Sequence, residues 1–296
     1  MHIAFLTPEY PHPACTSSGG LGTSIKNLAE ALIDKAVEVS VVIYGQDQEK
    51  NFVEEGINFY LIKQRKYKLG GWYLYRKYLQ DVLNKLAKRK KIDIIEAPDW
   101  TGITAFMKLD VPLVIRMNGS DAYFCKLDGR KQKWKNRLFE GDALKRADRL
   151  VSASKFTAEI TEEIFHLQKE IKVIPNSIEV QSFSPEFKET SGSDILYFGT
   201  IIRKKGVLEL AEVFNQVIRN KPEVRLTFLG KDSRDIFQKK STLELFKQRL
   251  IPAALKNFHY LQEVDYSGIK EHLQKTDVVV LPSFAEALPM TWLEAM

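Results

Sequence analysis

The chain is poor in cysteine and has no long apolar run. Cys15 and Cys125 are its only cysteines in 296 residues, too few for a disulfide framework and not spaced as metal ligands. No stretch approaches the roughly 18 to 20 apolar residues that span a bilayer, and the first seven residues lack the basic start and apolar stretch of a signal peptide. These absences exclude a disulfide-rich secreted domain, and the sequence predicts a cytoplasmic protein.

The positive charge of the chain is unevenly distributed. The formal net charge is +6, yet the segment from Lys63 to Lys91 holds eleven Lys and Arg residues against one acid. The segment 126–137 holds six against one, so the remainder of the chain is net acidic. Basic segments of this kind favour an anionic partner, which could be a phosphate, a membrane surface or a nucleic acid.

Apolar runs of strand length alternate with amphipathic, helix-like segments, the pattern of a parallel sheet covered by helices. The periodicity fails between residues 175 and 193 and then restarts. This predicts an α/β protein of two doubly wound domains, 1–180 and 194–296, joined by a linker at 181–193. The predicted strands are residues 2–7, 37–44, 57–62, 92–97, 112–117, 150–154 and 171–174, then 195–199, 225–230, 258–261 and 278–282. The predicted helices include residues 23–35, 72–87, 207–219, 243–250 and 266–274.

The second predicted domain is short. Its four strands fall below the usual five or six of a doubly wound half, and Met296 lies inside a predicted helix without a cap or stop signal. We therefore expect the C-terminal part of this domain to be missing from the chain.

A glycine-rich loop precedes the first predicted helix. Gly19, Gly20 and Gly22 would let the backbone approach a ligand closely, and the helix N-terminus after them would offer amides to a phosphate. A flexible loop before an ordinary helix cap is the alternative. A dinucleotide-binding domain with Asp47 as its ribose ligand is disfavoured, because eleven residues separate the loop from the first strand.

A basic loop follows the first strand of the second domain. Arg203, Lys204 and Lys205 lie between a predicted strand and a predicted helix. At the carboxyl end of a parallel strand, such side chains would point into the crevice where open α/β sheets bind ligands, and would meet phosphates there. An exposed, solvated basic turn is the alternative.

Two glutamates flank the start of the last predicted helix. Pro289 suits the first turn, so Glu286 lies in the loop before the helix and Glu294 near its second turn. They are too far apart for a catalytic dyad. Their separation favours one elongated ligand with the amides of Ala287 and Leu288 near its middle, a shape that a nucleotide-diphosphate sugar has. Helix-start acids favoured by the macrodipole are the alternative.

These motifs together resemble those of the retaining family-4 glycosyltransferases of the GT-B fold, over essentially the whole chain. The spacing of Glu286 and Glu294 is the most specific element. The resemblance implies two Rossmann-like domains facing a cleft. Its other motifs are Pro8-Glu9-Tyr10 with Gly19-Gly20-Leu21-Gly22, residues 140–148 with Ser152-Ala153-Ser154-Lys155-Phe156, Ile174-Pro175-Asn176, and Gly199 with Lys205-Gly206.

The resemblance implies a site for a nucleotide-diphosphate sugar. In the family the glycine loop approaches the donor diphosphate, and a basic pair at the start of the C-terminal domain neutralises it. Lys205 matches the second basic residue; Thr200 stands where the first usually lies, and Arg203 is the candidate substitute for it. Glu286 matches the residue that contacts the transferred sugar, and Glu294 the residue that holds the nucleotide ribose.

The resemblance also implies a reaction mechanism. A histidine–glycine pair often lies near the reaction centre, and Asn118 with Gly119 stands there in this chain, which keeps hydrogen bonds but removes a titratable group. Retention is assigned in the family to front-face attack, in which the leaving phosphate accepts the acceptor proton. Since the sequence has no Asp-x-Asp at a strand end, we expect cationic and amide groups, without a metal, to stabilise the leaving group.

Several alternatives stay open at this stage. The family suggests a glycan or lipid-linked acceptor, whereas a chain that ends early could be a catalytically weak, nucleotide-sugar-binding remnant. An NAD-dependent oxidoreductase is less favoured. Nucleic-acid binding is not expected, because no readout motif accompanies the basic segments.

The predicted helix at residues 72–87 is amphipathic, with basic residues around its apolar face. We favour packing on its own sheet; docking on an anionic membrane near a lipid-linked acceptor is the alternative. Its apolar face consists of Trp72, Tyr75, Leu79, Val82, Leu83 and Leu86.

Overall fold

The chain divides into two compact units. The structure is a computed structural model that describes residues 1–16, 18–183, 192–262, 264 and 266–296. Unit 1 comprises Met1–Ile178 and Ala287–Met290, and unit 2 comprises Glu179–Glu286 and Thr291–Met296. Part of the predicted linker, residues 184–191, lies outside the described residues.

Within the described residues, unit 1 contains one eight-stranded sheet. Its strands are β1 (His2–Thr7), β2 (Glu38–Gln46), β3 (Lys50–Glu54), β4 (Ile57–Lys63), β5 (Ile94–Pro98), β6 (Leu113–Met117), β7 (Arg149–Ser152) and β8 (Ile171–Val173). Their order is β3-β4-β2-β1-β5-β6-β7-β8. Neighbouring strands are parallel except β3, which pairs antiparallel with β4. The doubly wound fold predicted for this part of the chain is confirmed.

Strand β3 was not predicted, for a physical reason. It is an edge strand with mostly exposed side chains, so it has no apolar run to reveal it. The buried strands were predicted because both of their faces are covered, and they therefore read as continuous apolar segments.

The helices of unit 1 cover both faces of its sheet. They are α1 (Gly20–Ile33), α2 (Gly71–Lys90), α3 (Asp121–Leu127), α4 (Trp134–Arg146) and α5 (Lys155–Phe165). Because side chains alternate along a strand, Leu6 of β1 points into a core with Leu79 of α2. Phe5, its neighbour, points into the opposite core with Ile25 of α1.

The structure corrects the predicted start of α1. The helix begins at Gly20 with Gly19 as its N-cap residue, three residues before the predicted start at residue 23. Gly20 and Gly22 therefore belong to its first turn. The spacing of the apolar residues predicted the helix. Its first turn was missed because glycines contribute nothing to an apolar pattern.

Helix α2 packs on its own sheet, as we favoured. Tyr75, Leu79, Leu83 and Leu86 are buried in the core of unit 1. Trp72, in the first turn of the helix, is exposed, and docking on an anionic membrane stays a prediction. None of the helices in the described part of the chain combines the length and the apolar character needed to span a bilayer.

Unit 2 contains a four-stranded parallel sheet in the described residues, with the order β11-β10-β9-β12. The strands are β9 (Asp194–Phe198), β10 (Arg225–Leu229), β11 (Phe258–Leu261) and β12 (Val278–Val279). The helices are α6 (Val207–Asn220), α7 (Thr242–Lys247), α8 (Pro252–Lys256), α9 (Tyr266–Gln274) and α10 (Met290–Ala295), the last of which begins in unit 1. The single helix predicted at 243–250 is short α7, and α8 follows it with Pro252 in its first turn.

Candidate functional site

Two glycines shape the carboxyl edge of the unit 2 sheet. Gly199 follows β9 with φ +120°, and Gly230 follows β10 with φ +143°, values that favour glycine. A Cβ at Gly230 would lie 2.3 Å from the Gly199 carbonyl oxygen, and a Cβ at Gly199 would lie 3.2 Å from Nζ of Lys205. The absence of a side chain at Gly199 thus leaves room beside the Lys205 ammonium.

A turn at Gly206 joins the basic loop to the segment that carries Glu286. Gly206 has φ +69°, and a Cβ there would lie 2.1 Å from the Pro282 carbonyl oxygen. Two residues later, the Phe284 amide donates to the Lys204 carbonyl at 3.0 Å. These two backbone contacts hold residues 282–284 against the turn and thereby place Glu286 near Lys205.

Lys205 and Glu286 form an ion pair at 3.7 Å between Nζ and Oε1. Their side chains are only 16% and 14% exposed. The distance is longer than a strong charge-assisted hydrogen bond, so the Lys205 ammonium is not held by a tight bond to Glu286. Burial, reinforced by the negative charge of Glu286, raises the pKa of the nearby Tyr197. The arrangement offers an ammonium for an anion and a carboxylate for hydroxyl groups.

Arg203 is engaged elsewhere in unit 2. Its Nε donates to Asp235 Oδ2 at 2.7 Å, and its guanidinium lies over the Phe237 ring. The Arg203 hydrogen bond lowers the pKa of Asp235. The carbonyl oxygen of Thr200 accepts a hydrogen bond from the Tyr197 hydroxyl. Of the predicted basic pair, the structure therefore brings Lys205, and not Arg203, to Glu286.

Glu294 lies on α10 and is 94% buried. Thr291, three residues earlier and on the same helical face, has its methyl group 3.6 Å from the position that a Gly199 Cβ would take. Glu294 therefore lies one helical turn beyond Thr291, the residue of α10 that is near Gly199. Glu286 precedes α10 and Glu294 lies on it, so the two glutamates are separated, as their spacing in the sequence predicted.

In unit 1, the first turn of α1 is partly occupied by the protein itself. Glu9 Oε1 accepts from the Gly22 amide at 2.9 Å, and a Cβ at Gly22 would lie 3.0 Å from the Tyr10 backbone. The expectation that the Gly22 amide is free for a phosphate is therefore wrong. Gly20 is exposed and would accommodate a Cβ, so it remains a candidate for close approach. At Gly19, also exposed, the Glu9 carboxylate lies 2.9 Å from the position a Cβ would take.

Asn176 connects α1 to the segment Ala287–Met290 within unit 1. Its Oδ1 accepts from the Ser24 hydroxyl at 3.1 Å, and its Nδ2 donates to the Leu288 carbonyl at 2.9 Å. The side-chain amide thus fixes the backbone at Leu288, beside Ala287. The sequence singled out this asparagine only as part of a family motif, without a role.

Asn118 and Gly119 follow β6, where the sequence predicted them. Gly119 has φ +99°, and a Cβ there would lie 2.8 Å from the Phe124 ring. The Asn118 amide donates to Oδ1 of Asp99 at 3.1 Å, and its Nδ2 is buried without a hydrogen-bond partner among the described atoms. Asp99 is therefore the acid that holds this turn.

Asp99 was missed by the sequence analysis. It is fully buried at the carboxyl end of β5, the neighbour of β6. Burial raises its pKa to about 7, and the charge of Glu140 adds to the rise. An acid directly after a strand of a parallel sheet was the available signal. Across the described residues, no group of three or more His, Cys, Asp and Glu side chains could hold a metal ion.

Replacing Asp99 by asparagine is expected to stabilise unit 1 at pH 8 relative to pH 5. Because the folded pKa of about 7 exceeds the unfolded value, protonation favours folding at low pH, and this contribution is lost as pH rises towards 7. Asparagine cannot ionise, so above pH 7 it removes a cost of about 4 kcal/mol, of which roughly 2 kcal/mol is already present at pH 5. Thermal unfolding at both pH values measures the difference.

The exposed Asp110 supplies the control for this prediction. Asp110→Asn should leave the pH dependence of the melting temperature unchanged. Asparagine keeps an acceptor for the Asn118 amide, so the substitution removes only the titrating carboxyl. If Asp99→Asn changed the melting temperature equally at pH 5 and pH 8, a buried, titrating Asp99 would be contradicted.

Solved structures establish the fold. A sucrose-phosphate synthase from Thermosynechococcus elongatus matches with a TM-score of 0.72 and 16% identity, over 100% of this chain and 79% of that one. The Anabaena protein HepE, solved in complex with UDP, matches with a TM-score of 0.66 and 16% identity, over 100% and 78%. The fold is that of the GT-B glycosyltransferases, as the sequence predicted.

Sequence comparison then identifies the family. The model of Glycosyltransferase Family 4 matches residues 18–182, and that of Glycosyl transferases group 1 matches residues 179–296. The chain belongs to Glycosyltransferase Family 4, which confirms the resemblance stated above. A glycogen synthase of Mycobacterium tuberculosis is 25% identical over 217 residues, 69% of this chain. The chain spans about half, 49%, of the length of that relative.

Proposed function

We propose that this chain transfers a sugar from a nucleotide-diphosphate sugar to a glycan or lipid-linked acceptor, with retention of configuration and without a metal ion. The observation that carries the proposal is the Lys205–Glu286 pair beside Gly199. It lies at the carboxyl end of β9, the edge at which open α/β sheets bind ligands. A cation and an acid there match a donor that combines phosphates with hydroxyl groups.

Lys205 is proposed to neutralise the donor diphosphate. As the bond from the sugar to the diphosphate breaks, negative charge accumulates on the leaving group, and a fixed ammonium stabilises that charge. Because Gly199 has no side chain, that residue does not block the approach of a phosphate to Nζ. The 3.7 Å separation from Glu286 means that a phosphate can take the ammonium without first breaking a tight hydrogen bond.

Glu286 is proposed to hold the transferred sugar. A carboxylate accepts hydrogen bonds from two hydroxyl groups at once, which fixes the ring while its anomeric carbon becomes positively charged. The negative charge of Glu286 also favours that oxocarbenium-like state. Glu294, on α10, is proposed to accept from the ribose hydroxyls of the nucleotide.

Further backbone amides and side chains carry the remaining proposed contacts. The amides of Ala287 and Leu288 are proposed to bind the middle of the donor, and Asn176 supports this segment through the Leu288 carbonyl. Gly19 and Gly20 are proposed to approach the diphosphate, and Asn118 to donate hydrogen bonds near the transferred sugar. In this scheme the leaving phosphate accepts the acceptor proton, so that no side-chain base is used.

The comparisons support the donor class and one class of acceptor. HepE was solved with UDP, a nucleoside diphosphate, and the relative named glycogen synthase builds a glycan according to its name. A lipid-linked acceptor would be reached at a membrane surface, and the basic segment from Lys63 to Lys91 is the proposed means of contact with an anionic one.

Calorimetric titration tests the proposed function directly. We expect UDP-, GDP- or ADP-sugars to bind with micromolar affinity in EDTA, whereas NAD and a single-stranded oligonucleotide should not bind. Transfer of a radiolabelled sugar from the bound donor would establish the enzyme. Binding without transfer to any glycan or lipid-linked acceptor would instead identify a binding remnant, and tighter binding of NAD would overturn the assignment.

A further inference from the structure

Exposed apolar side chains cluster at the start of α2. Leu69, just before the helix, is 85% exposed, and Trp72, Tyr73 and Leu74 in its first turn are also exposed. The buried residues of α2 begin at Tyr75. The first turn of α2 therefore contributes its apolar side chains to the surface rather than to the core.

The start of α4 carries a second set of exposed apolar side chains. Trp134, its first residue, is 70% exposed, and Leu138 is also exposed. These residues are four apart and lie on the same face of the helix. An exposed tryptophan is costly to leave in water, since its ring is large and mostly apolar.

The two sets adjoin each other in unit 1. The Trp72 ring stacks on the Phe139 ring, with centroids 5.2 Å apart, and Phe139 is the neighbour of Leu138 on α4. This contact brings the first turn of α2 beside α4. We define the aromatic patch as Leu69, Trp72, Tyr73, Leu74, Trp134 and Leu138.

Exposed lysines lead into both helices of the aromatic patch. The segments before α2 and around the start of α4 belong to the two basic stretches that the sequence places more than thirty residues apart. Tertiary packing brings Trp72, in the first stretch, beside α4, which begins near the end of the second stretch. The exposed lysines concerned are Lys63, Lys66, Lys68, Lys131, Lys133 and Lys135.

We propose that the aromatic patch docks unit 1 on a bilayer that contains anionic lipid. Tryptophan and tyrosine favour the interface between headgroups and acyl chains, while leucines gain from burial below the headgroups. Each nearby lysine adds attraction to an anionic surface. A nucleic acid would match the lysines and the rings, but it offers nothing to Leu69, Leu74 or Leu138. Charge and apolar character together thus select a membrane.

This proposal narrows the membrane contact expected from the segment Lys63 to Lys91. Helix α2 rises about 1.5 Å per residue, so the basic cluster in its last turn, including Lys88, lies roughly 25 Å from Trp72. Near that cluster lies the exposed Val53 of β3, which lines a surface pocket with Arg89 and Lys90, whereas the exposed tryptophan and tyrosine of α2 are in its first turn. The docking surface itself is argued from the exposed residues alone. It rests on the proposed function only where it implies that the acceptor is lipid-linked.

Vesicle co-sedimentation with matched variants tests the docking surface. We expect the chain to sediment with vesicles of phosphatidylcholine and phosphatidylglycerol, and not with phosphatidylcholine alone. The pairs Leu69→Ser with Trp134→Ser, and Lys66→Glu with Lys133→Glu, should each weaken binding by about tenfold or more. The control pair Lys85→Glu with Lys88→Glu, exposed in the second half of α2, should change it by less than about twofold.

A depth measurement separates insertion from simple charge attraction. Lipids brominated in the acyl chains should quench the tryptophan fluorescence of the unmodified chain, and Trp134→Ser should reduce that quenching. No sedimentation with anionic vesicles, no quenching, or an equal loss in the control pair would overturn the proposal. Displacement of the vesicles by a single-stranded oligonucleotide at equal salt would assign the surface to nucleic acid instead.

Donor titration of the same variants keeps the two proposals distinguishable. The variants should retain the affinity of the unmodified chain for its nucleotide sugar, because every altered residue lies outside the proposed donor contacts. An unmodified chain that binds vesicles but no nucleotide sugar would refute the proposed function alone. A chain that binds the donor but no vesicles would refute the docking surface alone.

Discussion

Replacing Lys205 by alanine is expected to weaken the binding of a nucleotide-diphosphate sugar by about 100-fold. Removing a mostly buried ammonium from a phosphate costs about 2–4 kcal/mol, since the phosphate loses its charged partner. Part of the loss reflects Glu286, whose charge would be left near the diphosphate without its counter-ion at 3.7 Å. Calorimetric titration with the nucleotide sugar, compared with the unmodified chain, measures the effect.

Two further variants make this result specific. Lys221, exposed at the end of α6, lies at the opposite edge of the sheet, so Lys221→Ala should leave the affinity unchanged. The double variant Lys205→Ala with Glu286→Gln separates repulsion by Glu286 from loss of the ammonium. Unchanged donor affinity in Lys205→Ala would refute its assignment to the diphosphate.

Replacing Glu286 by glutamine is expected to lower kcat/KM by about 100- to 1000-fold. Glutamine keeps the size of the side chain, but it removes the negative charge that favours a positively charged anomeric carbon. The loss should fall mainly on kcat, because that charge acts in the transition state more than in the bound donor. Steady-state rates of sugar transfer at saturating acceptor measure it.

A matched substitution at an exposed glutamate controls for effects of Glu286→Gln that are unrelated to the site. Glu271, exposed on α9, provides the matched change, and Glu271→Gln should leave the rates unaltered. If Glu286→Gln raised KM alone and left kcat intact, Glu286 would serve donor binding only, and its role at the reacting sugar would be wrong.

The candidate site shows how far residue types alone can lead. Lys205 and Glu286 were chosen from separate loops about eighty residues apart in the sequence. Lys205 was chosen because its loop follows a predicted strand, and Glu286 because it precedes the last predicted helix and is spaced from Glu294. Their contact could not be predicted from periodicity, since it depends on backbone contacts of Gly206 and Phe284 with neighbouring segments. Arg203 had the same local signal as Lys205, yet the buried side chain of Asp235 binds it.

Other residues show why the sequence could not complete the site in unit 1. Asp99 and Asn118 lie nineteen residues apart, and the pairing of β5 with β6 makes them neighbours. Glu9 takes the amide of Gly22, a contact that a glycine-rich loop read by itself does not reveal. These are long-range contacts, and their energy depends on which segments the fold brings together.

The sequence by itself determined the doubly wound architecture, since buried parallel strands and amphipathic helices each leave their own period in the apolar residues. It also determined the family, through short motifs that keep their spacing. Only the tertiary structure decided which charges meet. An ion pair or a shared surface, such as the aromatic patch of α2 and α4, forms between residues that are distant in sequence. Their proximity depends on strand order and helix packing, which local sequence does not determine.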